Sequence, residues 1–127
     1  MDYKLEVGNL NTGLVAHLGI RFIETTPDRV VAELEIREQL CTLNGAIHGG
    51  TLMALADTVG AVGTLVSGEK TATAESKTNF FAAARQGKVR AEATPLHKGK
   101  RTHVWQTRVT DESGKLLSLT IQTQMIL

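Results

Sequence analysis

One long apolar segment constrains the fold more than any other feature of this sequence. Between Gly50 and Val66, apolar residues recur at helical spacing over about four turns. Small or apolar residues occupy the rest of the circumference as well, and Asp57 is the only charge. A helix that is apolar all round is buried by other parts of its protein. The sequence therefore predicts one central helix, ended by Ser67-Gly68 and wrapped by the rest of the chain.

The remaining segments carry strand patterns. Residues 29–36 place apolar side chains on alternate positions, which indicates a half-buried antiparallel strand. A short helix is predicted over 8–17 and a loop over 37–48. Further β-rich runs cover residues 18–26, 71–81, 88–97, 101–110 and 115–126. Two strands, one buried helix and four strands predict a sheet that curls around the helix.

Length and composition narrow the class of protein. The chain has 127 residues, which predicts a single domain over 1–127. Its one cysteine, Cys41, cannot form an internal disulfide, as is typical of a reducing cytoplasm. The N-terminus MDYKLEVGNL lacks the pattern of a signal peptide, and the 50–66 segment is interpreted as too short to cross a bilayer. The net charge of +1 argues against a nucleic-acid binder. Together these features predict a cytoplasmic protein that binds no membrane.

The motif His48-Gly49-Gly50 stands at the mouth of the predicted helix. A helix N-terminus presents unpaired N–H groups and a partial positive charge. Glycine there lets a ligand carbonyl approach the backbone closely. An oxyanion hole is one interpretation of this motif. A tight entry turn without a ligand is the other.

Asp57 is a lone carboxylate on an apolar helix, a position that costs free energy unless the group is paired or functional. It is either a reactive carboxylate or a structural one, bonded to a backbone amide or to Thr58. Gly49 lies eight residues earlier, about 12 Å along the axis, too far for both to contact one carbonyl. Two antiparallel copies of the helix around a two-fold axis would bring Gly49 of one chain opposite Asp57 of the other. If the two residues cooperate, the protein is at least a dimer.

Two weaker patterns concern charge and metal binding. The segment from Arg85 to Arg101 is strongly basic, which suits either a ligand that carries phosphates or a solvated charged face. The four histidines are scattered without metal-ligand spacing, so we expect no metal.

Four segments together resemble the hotdog-fold thioesterase superfamily, and within it the phenylacetate-degradation (PaaI-like) branch. They are NGAIHGG at 44–50, LAD at 55–57, NFF at 79–81 and GKV at 87–89. The resemblance runs from about Leu18 to Met125. It implies an α+β hotdog fold, in which an antiparallel β-sheet wraps around one long central helix. It also implies hydrolysis of acyl-CoA thioesters without a metal or other cofactor, by homodimers or homotetramers with active sites at the dimer interface.

The resemblance assigns the catalytic roles. Asp57 is the nucleophile or general base, and Gly49, after His48 of the same motif, polarises the thioester carbonyl through its N–H. A Ser or Thr near the nucleophile corresponds to Thr73. The coenzyme's phosphates would meet Lys98, Lys100 and Arg101, with Arg85 as a weaker candidate.

One family position departs from the pattern. Six residues before the histidine, where the family often has Asn or Gln, this chain has Thr42, and Asn44 nearby is the possible substitute. Two other functions stay open: a hotdog protein that binds or senses acyl-CoA without turnover, and a dehydratase acting on acyl thioesters. The sequence does not indicate the acyl group.

Overall fold

The computed structural model describes residues 10–127, which form one six-stranded antiparallel sheet and one long helix. The helices are α1 (Gly13–Leu18) and α2 (Gly49–Val66), with a 3₁₀ turn at Glu38–Leu40 between them. The strands are β1 (Arg21–Thr26), β2 (Arg29–Glu35), β3 (Thr71–Phe80), β4 (Lys88–Lys98), β5 (Thr102–Thr110) and β6 (Leu116–Ile126).

The strand order is β1-β2-β4-β5-β6-β3, so β1 and β3 form the two edges of the sheet. The β3 strand follows α2 in sequence but pairs with β6 at the far edge. The α2 helix contacts all six strands. The predicted α+β architecture, a sheet wrapped around one central helix, is confirmed.

The structure differs from the sequence prediction near the N-terminus. The helix predicted over 8–17 begins at Gly13 and ends at Leu18, while residues 8 and 9, like most of the MDYKLEVGNL segment, lie outside the described residues. The first strand begins at Arg21 instead of residue 18, because the N–H groups of Gly19 and Ile20 still bond to carbonyls of α1. Gly19 has a φ of 78°, the left-handed conformation that ends many helices.

The apolar core lies between α2 and the β2–β4–β5 part of the sheet. The helix contributes Leu52, Leu55 and Val59, all nearly or fully buried. The strands contribute Val30, Ala32, Leu34, Val89, Ala91, Ala93, Trp105 and Val109.

Towards the β3 edge the inner face of the sheet becomes polar. The inward-facing residues of β6 are Ser118, Thr120, Gln122 and Gln124, each 1% exposed or less. On β3, Thr73 and Ser76 are paired in register with Gln124 and Gln122. Burying such side chains costs free energy unless they find hydrogen-bond partners. The side chains of Thr120, Gln122 and Gln124 do find partners, whereas the Ser76 and Ser118 hydroxyls and Gln122 Oε1 have none among the described residues.

The length of α2 corrects one prediction. The helix has 18 residues with a mean hydropathy of 1.3, so by length and composition alone it could cross a membrane. The prediction that the segment is too short was therefore wrong. Half of the helix is buried within this fold, as expected for a core helix.

Candidate active site

The two glycines in the first turn of α2 differ in the hydrogen bonding of their N–H groups. The Nδ1 atom of His48, the N-cap residue, accepts a hydrogen bond from the Gly50 N–H at 2.7 Å. The N–H groups of Thr51 and Leu52 donate to the His48 carbonyl oxygen at 2.9 and 3.1 Å. Within residues 10–127 the Gly49 N–H has no hydrogen-bond partner. The helix terminus therefore leaves the Gly49 N–H available to a ligand oxygen.

An aromatic ring flanks this free N–H. A Cβ atom added to Gly49 would lie 3.2 Å from Cε1 of Phe80, so the glycine lets the ring lie directly against the helix backbone. Phe80, at the end of β3, keeps half of its surface exposed. A carbonyl bound at Gly49 would thus have an apolar wall beside it.

Two donors converge on a single oxygen of Asp57. The Thr73 hydroxyl donates to Asp57 Oδ1 at 2.6 Å. The side-chain amide of Gln122 donates to the same Oδ1, and to the Asp57 carbonyl oxygen, at 3.2 Å each. Asp57 Oδ2 accepts no hydrogen bond from the part of the chain that the structure describes. The half-buried carboxylate is thus held by one oxygen and presents the other.

The structure also bears on the alternative role of Asp57. The Thr58 hydroxyl donates to the Ala54 carbonyl oxygen at 2.7 Å and not to Asp57. The partners of the carboxylate are on β3 and β6 instead. Sequence reasoning identified Thr73 through the family resemblance and missed Gln122. The available signal was its position among alternating polar residues on β6.

The loop before α2 brings Thr42 and Asn44 together. The Thr42 hydroxyl donates to Oδ1 of Asn44, which also accepts the Ala46 N–H at 3.3 Å. Neither side chain contacts Asp57 of the same chain. The amide nitrogen of Asn44 has no partner among residues 10–127.

Gly49 and Asp57 belong to the same face of α2 but do not meet. Met53 lies midway between them, and all three are spaced by four residues. Met53 is 39% exposed, so this face of the helix is not covered by the chain's own sheet. The Gly49 N–H and the Asp57 carboxylate are therefore about 12 Å apart along the helix of one chain.

The four basic residues predicted to bind phosphate differ in whether the chain already provides a partner for their charge. Lys98 lies beyond the C-terminal end of α2, where its ammonium contacts the Pro27 carbonyl oxygen, Asp28 and the Trp105 ring. Three other basic residues are exposed and make no side-chain hydrogen bond or ion pair within residues 10–127: Arg85, Lys100 and Arg101. Arg85 also lines an open groove of about 500 Å³ together with Thr42. In the described residues no three His, Cys, Asp or Glu side chains are grouped as a metal site would require.

Comparison with known proteins identifies what the chain resembles. Residues 44–118, more than half of the chain, match the family described as the thioesterase superfamily. A 1,4-dihydroxy-2-naphthoyl-CoA hydrolase from Escherichia coli is 33% identical over 117 residues, covering 90% of this chain and 86% of that protein. The hydrolase of the same name from Listeria monocytogenes is 33% identical over 110 residues, covering 84% and 89%. The structure of a thioesterase from Haemophilus influenzae superposes with a TM-score of 0.89 at 29% identity, covering 100% of this chain and 95% of that one.

Proposed function

Because the chain belongs to the thioesterase superfamily and is a thioester hydrolase, we propose that its substrates are acyl-CoA thioesters. The observation that carries the mechanism is that one face of α2 presents both an Asp57 held through Oδ1 and free at Oδ2 and an unpartnered N–H at Gly49. The two relatives that hydrolyse a naphthoyl-CoA support coenzyme A as the leaving group. The phenylacetate-degradation branch and a cytoplasmic location stay predictions.

In the proposed reaction, Oδ2 of Asp57 acts on the thioester carbonyl. It attacks the carbonyl carbon directly, or it takes a proton from a water molecule that attacks. The carbonyl oxygen becomes negative and is stabilised by the Gly49 N–H and the N-terminal dipole of α2. The carbon–sulfur bond then breaks and the thiolate of coenzyme A leaves. Direct attack leaves the acyl group joined to Asp57 as an anhydride, which water then hydrolyses; by either route the products are the free acid and the thiol.

We propose that each site is shared by two chains, in a homodimer or a homotetramer. The β3 strand is a ten-residue sheet edge. Asp57 is next to this edge, because Thr73 of β3 donates a hydrogen bond to its carboxylate. An unpaired edge of this length is a template for pairing with another chain. A two-fold pairing there would bring the uncovered faces of two α2 helices together, with Gly49 of one chain opposite Asp57 of the other.

Two further assignments complete the proposed site. Arg85, Lys100 and Arg101 bind the phosphates of coenzyme A, as the family resemblance implies, and no partner within the described chain occupies their charges. Lys98 contributes less than the sequence indicated, because its ammonium already has partners of its own. Asn44, rather than Thr42, supplies the polar contact near the carbonyl, because its amide nitrogen is free to donate.

The Asp57→Asn variant tests the chemistry. Asparagine keeps an oxygen that accepts from Thr73 and Gln122, so the fold should survive, but its amide neither attacks nor accepts a proton. We expect kcat/KM for acyl-CoA, measured as release of free thiol, to fall by about 100-fold or more. An unchanged kcat/KM in folded Asp57→Asn protein would refute the assignment. Thiol release by the wild type also separates hydrolysis from binding alone and from dehydration.

A matched pair of variants tests the Gly49 N–H. Gly49→Pro removes that N–H and adds a ring whose Cβ meets Phe80, and proline is well tolerated at the first position of a helix. Gly49→Ala adds a Cβ against Phe80 but keeps the N–H. We expect the proline variant alone to lose most of its turnover. Equal activity in the two variants would mean that the Gly49 N–H does not bind the oxyanion.

Sharing of the site is tested by mixing. Asp57→Ala and Gly49→Pro chains should each be inactive alone, whereas a mixed dimer regains one site with both groups intact. In a random mixture about a quarter of the wild-type sites should return. Mixed dimers without activity would place both residues in the site of one chain or show that they do not cooperate.

A further inference from the structure

A chain of hydrogen bonds reaches Asp57 from the buried side of the sheet. Gln124 lies on β6 directly beside Thr73 in register, and its side chain is fully buried. Its amide nitrogen donates to the Thr73 hydroxyl oxygen at 2.7 Å, and that hydroxyl donates to Asp57 Oδ1 at 2.6 Å. The Thr71 hydroxyl lies 2.8 Å from Gln124 Oε1 and 2.8 Å from the Met125 carbonyl oxygen, and its single hydrogen can donate to either. Three side chains, one contacting the next, thus lead to one carboxylate oxygen of Asp57.

The direction of these bonds follows from Asp57. An ionised carboxylate only accepts hydrogen bonds, so Thr73 uses its single hydroxyl hydrogen towards Asp57. The group on the other side of Thr73 must then be a donor, which is the NH₂ group of Gln124. If the amide of Gln124 were turned over, its oxygen would compete for the Thr73 hydrogen. The Thr71 hydroxyl does not decide the orientation, because its single hydrogen lies within reach of both the amide oxygen and the Met125 carbonyl oxygen.

Burying two glutamine side chains costs free energy, which supports a role for them beyond packing. Gln122 and Gln124 are 1% and 0% exposed on the inner face of one strand, where apolar residues would pack at no comparable cost. Gln122 donates to Asp57 directly, and Gln124 reaches it only through Thr73. Hydrogen bonds to an ionised group are the strong ones, and linked bonds polarise one another.

We propose that Gln124 is a positioning residue that commits the Thr73 hydrogen to Oδ1 of Asp57 and so makes Oδ2 the reacting oxygen. The inference rests on the proposed role of Asp57. Gln124 touches neither the substrate nor the reacting atoms. It acts by setting which way one hydroxyl points.

Substitutions at Gln124 test this role. Gln124→Glu is nearly isosteric but only accepts when ionised, so it should draw the Thr73 hydrogen away from Asp57. We expect kcat to fall about 10- to 100-fold, the value of one bond to a charged group, with little change in KM. Gln124→Leu removes the donor without adding charge, and should lower kcat in the same range.

A double-mutant cycle separates positioning from a loss of sheet packing. Since Gln124 acts through the Thr73 hydroxyl, Gln124→Leu should cost almost nothing further in a Thr73→Val background. Thr73→Ser, which keeps the hydroxyl, should retain most of the activity. The control is Thr120→Val, on the same buried face, whose hydroxyl bonds to Thr78 at 2.7 Å and not to Asp57. It should lower the Tm and leave kcat unchanged.

Clear outcomes would overturn the inference. Unchanged kcat in folded Gln124 variants would do so, as would an equal loss from Gln124→Leu with and without the Thr73 hydroxyl. If Asp57→Asn abolishes turnover while the Gln124 variants behave like the wild type, only this inference fails. If Asp57→Asn is active, the proposed function itself fails.

Discussion

The side-chain amide of Gln122 occupies the space that a methyl group on Gly60 would fill. Gly60 lies one turn after Asp57 in the interior of α2, where glycine costs about 1 kcal/mol relative to alanine. The absence of a side chain lets Gln122 reach both the Asp57 carbonyl oxygen and the carboxylate. Gly63, one turn further on, makes the same kind of space for the buried Trp105 ring.

Gly60→Ala should therefore lower activity more than stability. The new methyl group displaces the amide end of a flexible side chain from Asp57, while the gain in helix propensity, about 1 kcal/mol, offsets the strain. We expect kcat to fall about 10-fold, the value of one charge-assisted hydrogen bond, with a nearly unchanged free energy of unfolding. Gly63→Ala is the control, because its methyl group would overlap the rigid Trp105 ring and cost about 1–3 kcal/mol of stability. Urea denaturation and steady-state kinetics on both variants measure the difference; a Gly60→Ala enzyme with normal kcat contradicts the role of Gln122.

The register of the proposed dimer follows from the helix itself. If Gly49 faces Asp57 of the partner, the midpoint of the antiparallel pair is residue 53, so Met53 faces its own copy. At helix–helix distances of about 8–10 Å, facing Cα atoms come within reach of a disulfide. In a Cys41→Ser background, Met53→Cys should form a covalent dimer on oxidation. Ala61→Cys, about 24 Å from its own copy in this arrangement, should not; cross-linking at 61 but not at 53 would exclude the register.

The three proposed phosphate-binding residues should act on the nucleotide part of the substrate. Changing Arg85, Lys100 and Arg101 to Gln together should raise KM for acyl-CoA and flatten its salt dependence. Turnover of a short acyl thioester that lacks the nucleotide should change little. Lys98→Met should instead lower the Tm, since Lys98 contacts Pro27, Asp28 and Trp105. Equal losses on both substrates in the triple variant would mean that these residues support the fold.

His103 should make the fold sensitive to acid. Burial lowers the pKa of His103, and the positive charge of Lys98 lowers that pKa further. The unfolded chain takes up a proton near the ordinary histidine pKa of about 6.5, whereas the folded chain resists it. The unfolded state thus binds more protons, and stability falls as the pH drops below that value. Urea denaturation between about pH 7.5 and 5 should show this fall, and His103→Gln should make it shallower; an identical slope in the variant would assign the acid sensitivity to other groups.

The local sequence pattern was sufficient to predict α2 and most of the strands. The α2 helix was recognised because its apolar residues keep helical spacing between a glycine pair and Ser67-Gly68, and β2 because its residues alternate. Asp57 and the glycine motif also stood out, since each is chemically unusual for its place in an apolar helix. These features depend on neighbours within a few residues, which is the range that periodicity reports.

The β6 strand shows where pattern misleads. Alternation alone would bury its apolar side, yet Ile121 and Met125 are 42% and 40% exposed while Gln122 and Gln124 are buried. Polar residues are buried here instead of apolar ones because β3 crosses to the far edge of the sheet and pairs with β6, which places both strands next to Asp57. Gln122 and Gln124 then donate to Asp57 and Thr73, and these contacts depend on strand order, which the alternation along β6 does not report.

The sequence alone thus specified a buried helix with one carboxylate and one glycine-rich N-terminus, because both are local properties of the chain. Tertiary structure decided which N–H is left free, which oxygen of Asp57 is held, and by what. Thr73 and Gln122 stand 16 and 65 residues away from Asp57 along the chain. Contacts at such separations depend on strand order and register, which the packing of the whole sheet on α2 selects.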